Sequence, residues 1–316
     1  MTASAAKIIT VTANTAIDYV IEVNQLSLGD NVVAENTRKF AAGKGINVAK
    51  AIASLCCPAH ILGFVGMKSQ NLFQEFNYSK ITADFCFVAG ETRTNITLFD
   101  SFKKQETHIR TAGFSVTRSD CQNLFDKLSA CIKQNDIVVF SGSLPNHAPL
   151  NLYRQLIYLC QQKKAITFLD SSGESLQAGL KAKPYLIKPN LTEFESLMGR
   201  SLTTEAAIVA AAHEIIATGI QCVVVSRAEQ GALFITEDLV FSAVVDIKDE
   251  EVVSSVGCGD ALVAGLAVAK LRDYNTEQSL KLAVACGAAN LFSPEPGVFQ
   301  ADKLAQMIAK VRIRVL

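Results

Sequence analysis

The amino-acid sequence predicts an α/β fold in which helices cover both faces of a central, mostly parallel β-sheet. Two observations support this prediction. Apolar runs rich in β-branched residues alternate with helix-like segments in the later two thirds of the chain, as is typical of strands buried on both faces. Polar side chains recur just after these runs, at the sheet edge where such folds bind ligands. These side chains are Ser141, Ser143, Asp170, Asn190, Glu193 and Ser226.

The first part of the chain supplies several of the predicted elements. Residues 7–12 and 19–23 are rich in β-branched side chains and predict two strands. Residues 31–40 alternate weakly, which predicts an extended edge element. Apolar residues at helical spacing after Asn47 predict a helix, and residues 61–65 predict a buried strand.

Residues 82–110 have the composition of a β-rich insertion, with Gly90 and a turn near Ser101 as boundaries. The short strands predicted within it are 85–88, 95–99 and 106–109. Because the insertion follows the first α/β units, we expect it to form a lid rather than part of the main sheet.

Regular alternation then continues towards the carboxyl terminus. The predicted helices are 121–131, 150–162 and a helix from Thr192. The predicted strands are 136–140, 165–170, 185–190 and 222–226.

The composition excludes some classes of partner. Among 316 residues, 30 basic side chains balance 30 acidic ones, which argues against a nucleic acid or an anionic membrane as the main partner. No apolar run approaches the roughly 20 residues of a membrane-spanning helix. The nine cysteines include no pair separated by two residues, and we expect no signal peptide, so the sequence favours a reducing cytoplasm.

A glycine turn followed by an apolar helix-like run lies at residues 254–265. Gly257 and Gly259 allow a tight turn, and the free N–H groups at the start of the helix favour an anion. The carboxylate of Asp260 would repel a phosphate, but it would suit a base that takes the proton from an attacking hydroxyl. An ordinary helix start with an early acid remains an equal alternative at this point.

Cys258 lies inside this turn, where the start of a helix would stabilise a thiolate. The alternative, a small residue that fills an alanine-sized space, is favoured because cysteines usually act through packing.

A second glycine motif lies in the amino-terminal third. Gly43 and Gly45 flank Lys44, so the backbone can approach a ligand while a positive charge reaches it. The spacing differs from that of a Walker A loop. Asn14 and Asp18 follow the first strand, where they either bind a ligand or form a turn.

The β-rich insertion carries one good candidate for an anion contact. Arg93 lies between two threonines before an apolar strand, whereas Lys103 and Lys104 have the pattern of a solvated pair on a turn.

Asn190 and Glu193 lie three residues apart at a predicted helix start. They either orient a metal-bound phosphate through water or simply cap the helix, and capping is the more common use of such a pair. The four histidines show no metal-ligand spacing.

Together these motifs resemble those of the ribokinase-like carbohydrate kinases of the phosphofructokinase B family, over roughly residues 8–304. The first motif comprises Ala42, Gly43, Lys44, Gly45, Ile46, Asn47, Val48 and Ala49. The second comprises Ser255, Val256, Gly257, Cys258, Gly259 and Asp260, with Ala264 and Gly265. Residues 141–145 and the pattern of Lys188, Pro189, Asn190 and Glu193 also match the family. The resemblance implies a three-layer fold with a small β-sheet lid.

The resemblance also implies an activity. Residues 10–18 and 90–95 look like the hexose-phosphate branch of the family. That branch implies transfer of a phosphoryl group from ATP to the C6 hydroxyl of fructose 1-phosphate, with tagatose 6-phosphate and fructose 6-phosphate as alternative substrates.

The roles that the resemblance implies fall into four groups. Asp260 is the expected base, and the backbone N–H groups of Gly257, Cys258 and Gly259 form the expected anion hole. The expected sugar-phosphate contacts are Asn14, Asp18, Gly43, Lys44, Asn47, Arg93 and Ser143. The expected ATP contacts are Lys188, Asn190, Ser226, Gly231 and Asn290. Glu193 and Asn190 are expected to orient Mg²⁺ through water.

The family resemblance implies one domain over residues 1–316, with lid segments at about 15–40 and 85–110 that exclude water. It also suggests a homodimer joined through the lids. Ala42 and Ala228 replace usual glycines of the family, which keeps open a non-catalytic sugar-phosphate sensor as the alternative. A dinucleotide oxidoreductase is disfavoured because no G-x-G-x-x-G motif follows the first strand.

Overall fold

The computed structural model describes residues 6–76, 78–247 and 252–316. The strands are β1 (Ile8–Thr12), β2 (Ala16–Val23), β3 (Asn36–Ala42), β4 (Ala59–Gly66), β5 (Ile81–Val88), β6 (Arg93–Asp100), β7 (Gln105–Arg110), β8 (Ile137–Ser141), β9 (Ile166–Asp170), β10 (Leu186–Ile187), β11 (Cys222–Ser226), β12 (Ala232–Ile235), β13 (Val240–Val245) and β14 (Val311–Val315). The helices are α1 (Lys44–Ser54), α2 (Gln70–Gln74), α3 (Arg118–Cys131), α4 (Leu152–Gln162), α5 (Gly173–Leu180), α6 (Leu191–Met198), α7 (Glu205–Ile216), α8 (Cys258–Leu271), α9 (Thr276–Asn290) and α10 (Ala301–Lys310).

A large sheet forms the middle layer, with strand order β14-β13-β12-β11-β10-β9-β8-β1-β4-β5. The neighbouring strands from β11 through β10, β9, β8, β1 and β4 to β5 pair in parallel. The neighbouring strands from β11 through β12 and β13 to β14 pair antiparallel. Successive residues of β1 enter different cores, because Ile8 belongs to one apolar cluster and Ile9 to the other. The predicted three-layer α/β fold is therefore confirmed.

A separate small sheet has the order β3-β2-β6-β7. Strand β7 is exposed along its whole length, and most residues of β6 are only half-buried. We refer to these four strands as the small sheet. The predicted edge element at residues 31–40 starts later than expected, since β3 begins at Asn36.

Strand β5 corrects one expectation. We expected residues 85–110 to form the lid, but residues 85–88 belong to β5, which pairs with β4 at the edge of the large sheet. Only residues from Arg93 onwards enter the small sheet. The apolar pattern of β5 is that of any buried strand, so it does not reveal which sheet the strand joins.

Helices α8 and α9 pack against each other in the interior. Every residue over 260–269 of α8 is buried, as expected for a helix that is apolar on all sides. A Cβ added at Gly265 would lie 2.6 Å from the Cα of Ala283, so the two helices approach at backbone distance. Within the described residues, every helix is too short or too polar to cross a bilayer.

Candidate active site

A cleft of about 1230 Å³ opens where the carboxyl ends of the parallel strands meet the start of α8 and the small sheet. It is the place where such folds bind ligands. Most of the predicted site residues line it together. These are Asp18, Gly43, Lys44, Asn47, Arg93, Ser143, Lys188, Asn190, Glu193, Ser226, Gly231, Gly257, Cys258, Gly259 and Asp260.

The glycine turn at the start of α8 has the geometry of an anion-binding site. Gly257 is the N-cap residue and adopts a left-handed φ of 84°, which favours glycine. A Cβ at this position would lie 2.7 Å from the Cβ of Pro296. Helix α8 begins at Cys258, so its first N–H groups have no partner within the helix and can bind an anion.

Asp260 lies in the first turn of α8 and is only 6% exposed. Its Oδ2 accepts a hydrogen bond of 2.9 Å from Nδ2 of Asn47. Burial and the nearby carboxylate of Asp170 raise the pKa of Asp260 to about 7, against the opposing effects of Lys44, Asn47 and Lys188. A carboxylate with this pKa is a suitable general base near neutral pH.

Asp170 was predicted to lie at the ligand-binding edge of the sheet, but its pattern in the sequence indicates no particular chemical role. It ends β9, is 1% exposed, and lies 3.6 Å from Nζ of Lys44 and 3.3 Å from Nζ of Lys188. Among the described residues, neither of its carboxylate oxygens has a hydrogen-bond partner of good geometry. The carboxylate of Asp170 raises the pKa of Lys44, so the ammonium of Lys44 stays charged beside the anion-binding turn.

The small sheet supplies one end of the cleft. Oδ1 of Asp18 accepts a hydrogen bond of 2.8 Å from Asn95, and burial raises the pKa of Asp18. The guanidinium of Arg93 donates to the carbonyl oxygens of Thr15 and Asn14. Burial and the neighbouring charge of Arg110 lower the pKa of Arg93.

Arg110 was not predicted as a site residue, yet it also lines the cleft. An exposed arginine at the end of a strand has no local sequence signal. Only the pairing of β6 with β7, in which Asn95 lies opposite Arg110, brings it to the site.

Asn14 differs from its expected position. Among the described residues, it is not part of the cleft wall, and its Nδ2 instead donates to Oγ of Ser143 at 3.2 Å and to the carbonyl of Leu144 at 3.3 Å. Asn14 therefore holds the loop that carries Ser143.

Asn190 and Glu193 form the capping arrangement at the start of α6. Oδ1 of Asn190 accepts from the Glu193 N–H at 2.8 Å, and Oε2 of Glu193 accepts from the Asn190 N–H at 2.9 Å. Both residues nevertheless line the cleft. Capping uses Oε2 of Glu193, which leaves Oε1 able to face solvent or an ion.

The turn between β11 and β12 forms the far end of the cleft. Gly231 has a φ of 74°, and a Cβ there would lie 1.9 Å from the carbonyl oxygen of Ala243. Ala228, where the family resemblance leads us to expect glycine, adopts a left-handed φ of 49°. The turn therefore keeps a glycine-like backbone at both positions.

Asn290, which was expected to lie along ATP, does not line the cleft in the described part of the chain. Asn290 is fully buried, donates to the carbonyl of Val256 at 2.8 Å and accepts from the Gly297 N–H at 2.7 Å. It therefore braces the anion-binding turn from behind. A sequence motif does not indicate which side of a turn a neighbouring helix contacts.

Cys258 follows the favoured packing interpretation. Burial raises the pKa of its thiol to about 11, so the thiol is neutral near pH 7.

Residues 8–301 match the pfkB family carbohydrate kinase family. A 1-phosphofructokinase from Xanthomonas campestris is 38% identical over 91% of its own length and 90% of this chain. A 1-phosphofructokinase from Escherichia coli is 34% identical, with 98% of each chain covered.

Solved structures agree with these matches. Phosphofructokinase-2 from Escherichia coli, in complex with substrates and products, superposes with a TM-score of 0.89 at 26% identity, over 96% of this chain and 99% of that chain. Ribokinase from Arabidopsis thaliana, complexed with ribose and ATP, shares the fold with a TM-score of 0.73 at 19% identity, over 96% of this chain and 99% of that chain. The chain therefore belongs to the pfkB family of carbohydrate kinases.

Proposed function

We propose that this kinase transfers the γ-phosphoryl group of ATP to the C6 hydroxyl of fructose 1-phosphate, giving fructose 1,6-bisphosphate and ADP. The observation that carries the proposal is the position of Asp260, a buried carboxylate of raised pKa beside the N–H groups that begin α8. Two relatives named 1-phosphofructokinase, each similar over most of its length, support the choice of sugar.

Asp260 acts as the base in this proposal. Its carboxylate takes the proton of the C6 hydroxyl as that oxygen attacks the γ-phosphorus and the bond to the ADP oxygen breaks. Asn47 holds Oδ2 of the carboxylate, so Oδ1 is available for the sugar hydroxyl. The N–H groups of Gly257, Cys258 and Gly259 stabilise the charge on the transferring group.

Two lysines complete the charge balance around the transferred group. A Cβ added at Gly259 would lie 3.5 Å from Nζ of Lys188, so this ammonium is adjacent to the proposed anion hole. Nζ of Lys44 lies 3.6 Å from Oδ1 of Asp170, the same oxygen that Lys188 approaches to 3.3 Å. Asp170 holds the two ammonium groups close together before ATP binds.

The sugar phosphate would bind against the small sheet. Asp18, Gly43 and Asn47 bind hydroxyl groups in this proposal, while Lys44 and Arg93 bind the phosphate that the substrate already carries. Ser143 is positioned by Asn14, and Arg110 adds a second guanidinium to the phosphate end.

ATP would lie along the other end of the cleft, near Lys188, Asn190, Ser226 and Gly231. The part of the chain that the structure describes contains no cluster of three or more His, Cys, Asp or Glu side chains able to bind a metal directly. Mg²⁺ keeps most of its water and needs few protein ligands, so oxygen atoms of Glu193 and Asn190 fit a role through water. Bound Mg²⁺ would neutralise charge on the phosphates of ATP.

The small sheet would act as a lid within a single domain over residues 1–316. Closure over the sugar would exclude water and limit hydrolysis of ATP. We further propose a homodimer joined through the small sheets and a cytoplasmic location. Sedimentation equilibrium tests the dimer, and a monomer at assay concentration would contradict it.

Single-turnover assays with fructose 1-phosphate, tagatose 6-phosphate and fructose 6-phosphate test the proposed substrate. We expect the highest kcat/KM for fructose 1-phosphate. A higher value for either alternative would replace the substrate but keep the mechanism. Calorimetry that detects phosphosugar binding without any turnover of ATP would favour the sensor instead.

A further inference from the structure

Lys50 lies on α1 with its charged end enclosed in the protein. Its side chain is 0% exposed, and its Nζ donates to the carbonyl of Ala41 at 3.0 Å and to Oε1 of Glu295 at 2.8 Å. Burial of an ammonium is costly unless the charge is paired and hydrogen-bonded. The arrangement therefore holds Ala41 and Glu295 in fixed positions relative to α1.

Aromatic rings surround this ammonium. Nζ of Lys50 lies 5.2 Å from the ring centroid of Phe40, 5.7 Å from that of Phe76 and 5.2 Å from that of Tyr78. The hydroxyl of Tyr78 also donates to Oε1 of Glu295. A lysine would ordinarily be solvated, so this enclosure indicates a specific use of the charge.

Both partners of Lys50 adjoin the proposed active site. Ala41 lies in β3, two residues before Gly43, where the small sheet joins α1. Glu295 begins the segment 295–297, which packs behind the anion-binding turn. A Cβ at Gly257 would lie 2.7 Å from Pro296, and a Cβ at Gly297 would lie 2.3 Å from the backbone oxygen of Asn47.

The same set of contacts extends to Asp260, the proposed base. Asn47 lies one helical turn before Lys50 on α1, and its side chain donates to Asp260. The segment 295–297 is thus held by Lys50 at one end, and it contacts both Gly257 and Asn47. A shift of this segment would move the anion-binding turn and the residue that orients Asp260 relative to each other.

We propose that Lys50 is a positioning residue for phosphoryl transfer. Its ammonium fixes the junction of small sheet and α1 to the segment behind the anion-binding turn, so that the base and the proposed anion hole stay aligned. This inference rests on the proposed role of Asp260, but not on which phosphosugar is the substrate.

The test uses kcat and KM of the purified enzyme with whichever phosphosugar the wild type turns over fastest. We expect Lys50→Met to lower kcat about 100-fold, because a misplacement of about 1 Å has an effect of this size. The KM values for sugar and ATP should change by less than about threefold, since no binding contact is removed. Tyr78→Phe, which keeps the ring and removes only the bond to Glu295, should lower kcat about fivefold with unchanged KM.

Lys127→Met is the matched control, because Lys127 also pairs with a carboxylate, that of Asp84, but outside the cleft. It should leave both kcat and KM unchanged. If Lys50→Met does not fold, Tyr78→Phe and Glu295→Gln decide the question. Wild-type kcat in those variants, or a loss confined to thermal stability, would overturn the inference. If the wild type prefers a sugar other than fructose 1-phosphate, the proposed substrate would be revised, but the inference about Lys50 would be unaffected.

Discussion

The start of α8 and the small sheet differ in how firmly they are held. Helix α8 is buried on all sides from residue 260 to residue 269 and contacts α9 at backbone distance. The small sheet has one fully exposed strand, β7, and a largely half-buried one, β6. The proposed chemistry therefore lies on the more deeply buried region, whereas the proposed sugar contacts Asp18 and Arg93 lie on the less buried one, where local motion is expected to be larger.

This difference shows how the two tasks are divided. The groups that must align to a fraction of an ångström are the base and the N–H groups, and both belong to α8. The sugar contacts on the small sheet, Asp18 and Arg93, can approach after the sugar binds. Changes in the two regions should therefore have different kinetic signatures, which the following predictions test.

The largest effect is expected in the more deeply buried region. Asp260→Asn should lower kcat about 10³-fold, because the amide cannot accept the hydroxyl proton, while the phosphosugar Kd stays near that of the wild type. Rapid-quench turnover and calorimetry measure the two quantities. Asp136→Asn is the control, since Asp136 is a buried carboxylate bonded to the N–H of Lys133 outside the cleft. The Asp136→Asn substitution should lower stability and leave kcat unchanged. Equal turnover by Asp260→Asn and the wild type would contradict the assignment of Asp260 as the base.

The next effect concerns pH. The pKa of Asp260 in the protein without substrate is raised to about 7, so kcat/KM should rise about tenfold per pH unit up to that value and then level off. The value of kcat/KM at pH 5 should be about 100-fold below the plateau. The residual rate of Asp260→Asn, measured over the same range, should lack this rise. An identical profile in the variant would assign the titration to another group.

The stability of the folded protein should also depend on pH through Asp260, but it should decrease as pH rises, whereas activity increases. The folded protein raises the pKa of Asp260 above its unfolded value, so folding favours the protonated carboxyl. The stabilising contribution is complete below about pH 4 and is lost as pH rises to about 7. The difference in melting temperature between the wild type and Asp260→Asn should therefore decrease as pH rises from about 4 to about 7.

A smaller effect is expected in the small sheet. Arg93→Met should lower kcat/KM for the phosphosugar about 30-fold, the loss expected for one charged hydrogen bond, and leave KM for ATP unchanged. Lys103→Met, on an exposed turn of the same sheet, should change neither quantity. If both variants behaved alike, the choice of Arg93 as the phosphate contact would be wrong.

The smallest effect concerns Cys258. Its thiol is neutral and only its backbone N–H has a proposed role, so Cys258→Ala should keep kcat within about threefold of the wild type. Iodoacetamide at pH 7 should label the exposed Cys56 first without loss of activity. Inactivation that tracks labelling of Cys258 would show that the thiol is more reactive than its burial predicts.

The sequence was most informative where a local pattern fixes the chemistry. The glycine turn before an apolar run indicated both the start of α8 and Asp260, because backbone freedom and helix polarity are local properties. Continuous β-branched runs likewise indicated the large parallel sheet.

Features that depend on packing between distant segments were missed or misplaced. Nothing near Asp170 distinguishes a residue between two lysines from any acid after a strand. Asn290 was placed along ATP, although it braces the turn from behind. Lys50 has the sequence pattern of a solvated lysine, and only the fold encloses it.

Helix α1 presents Lys44, Asn47 and Lys50 at successive intervals of three residues. Insertion or deletion of one residue among them would rotate the later side chains by about 100°. The contacts of the helix with the sugar, with the base and with segment 295–297 could then no longer form together. Evolution towards a new hexose would therefore meet a barrier in this helix. Exchange of single side chains on β6 or β7 avoids that barrier, so diversification of substrate is expected there first.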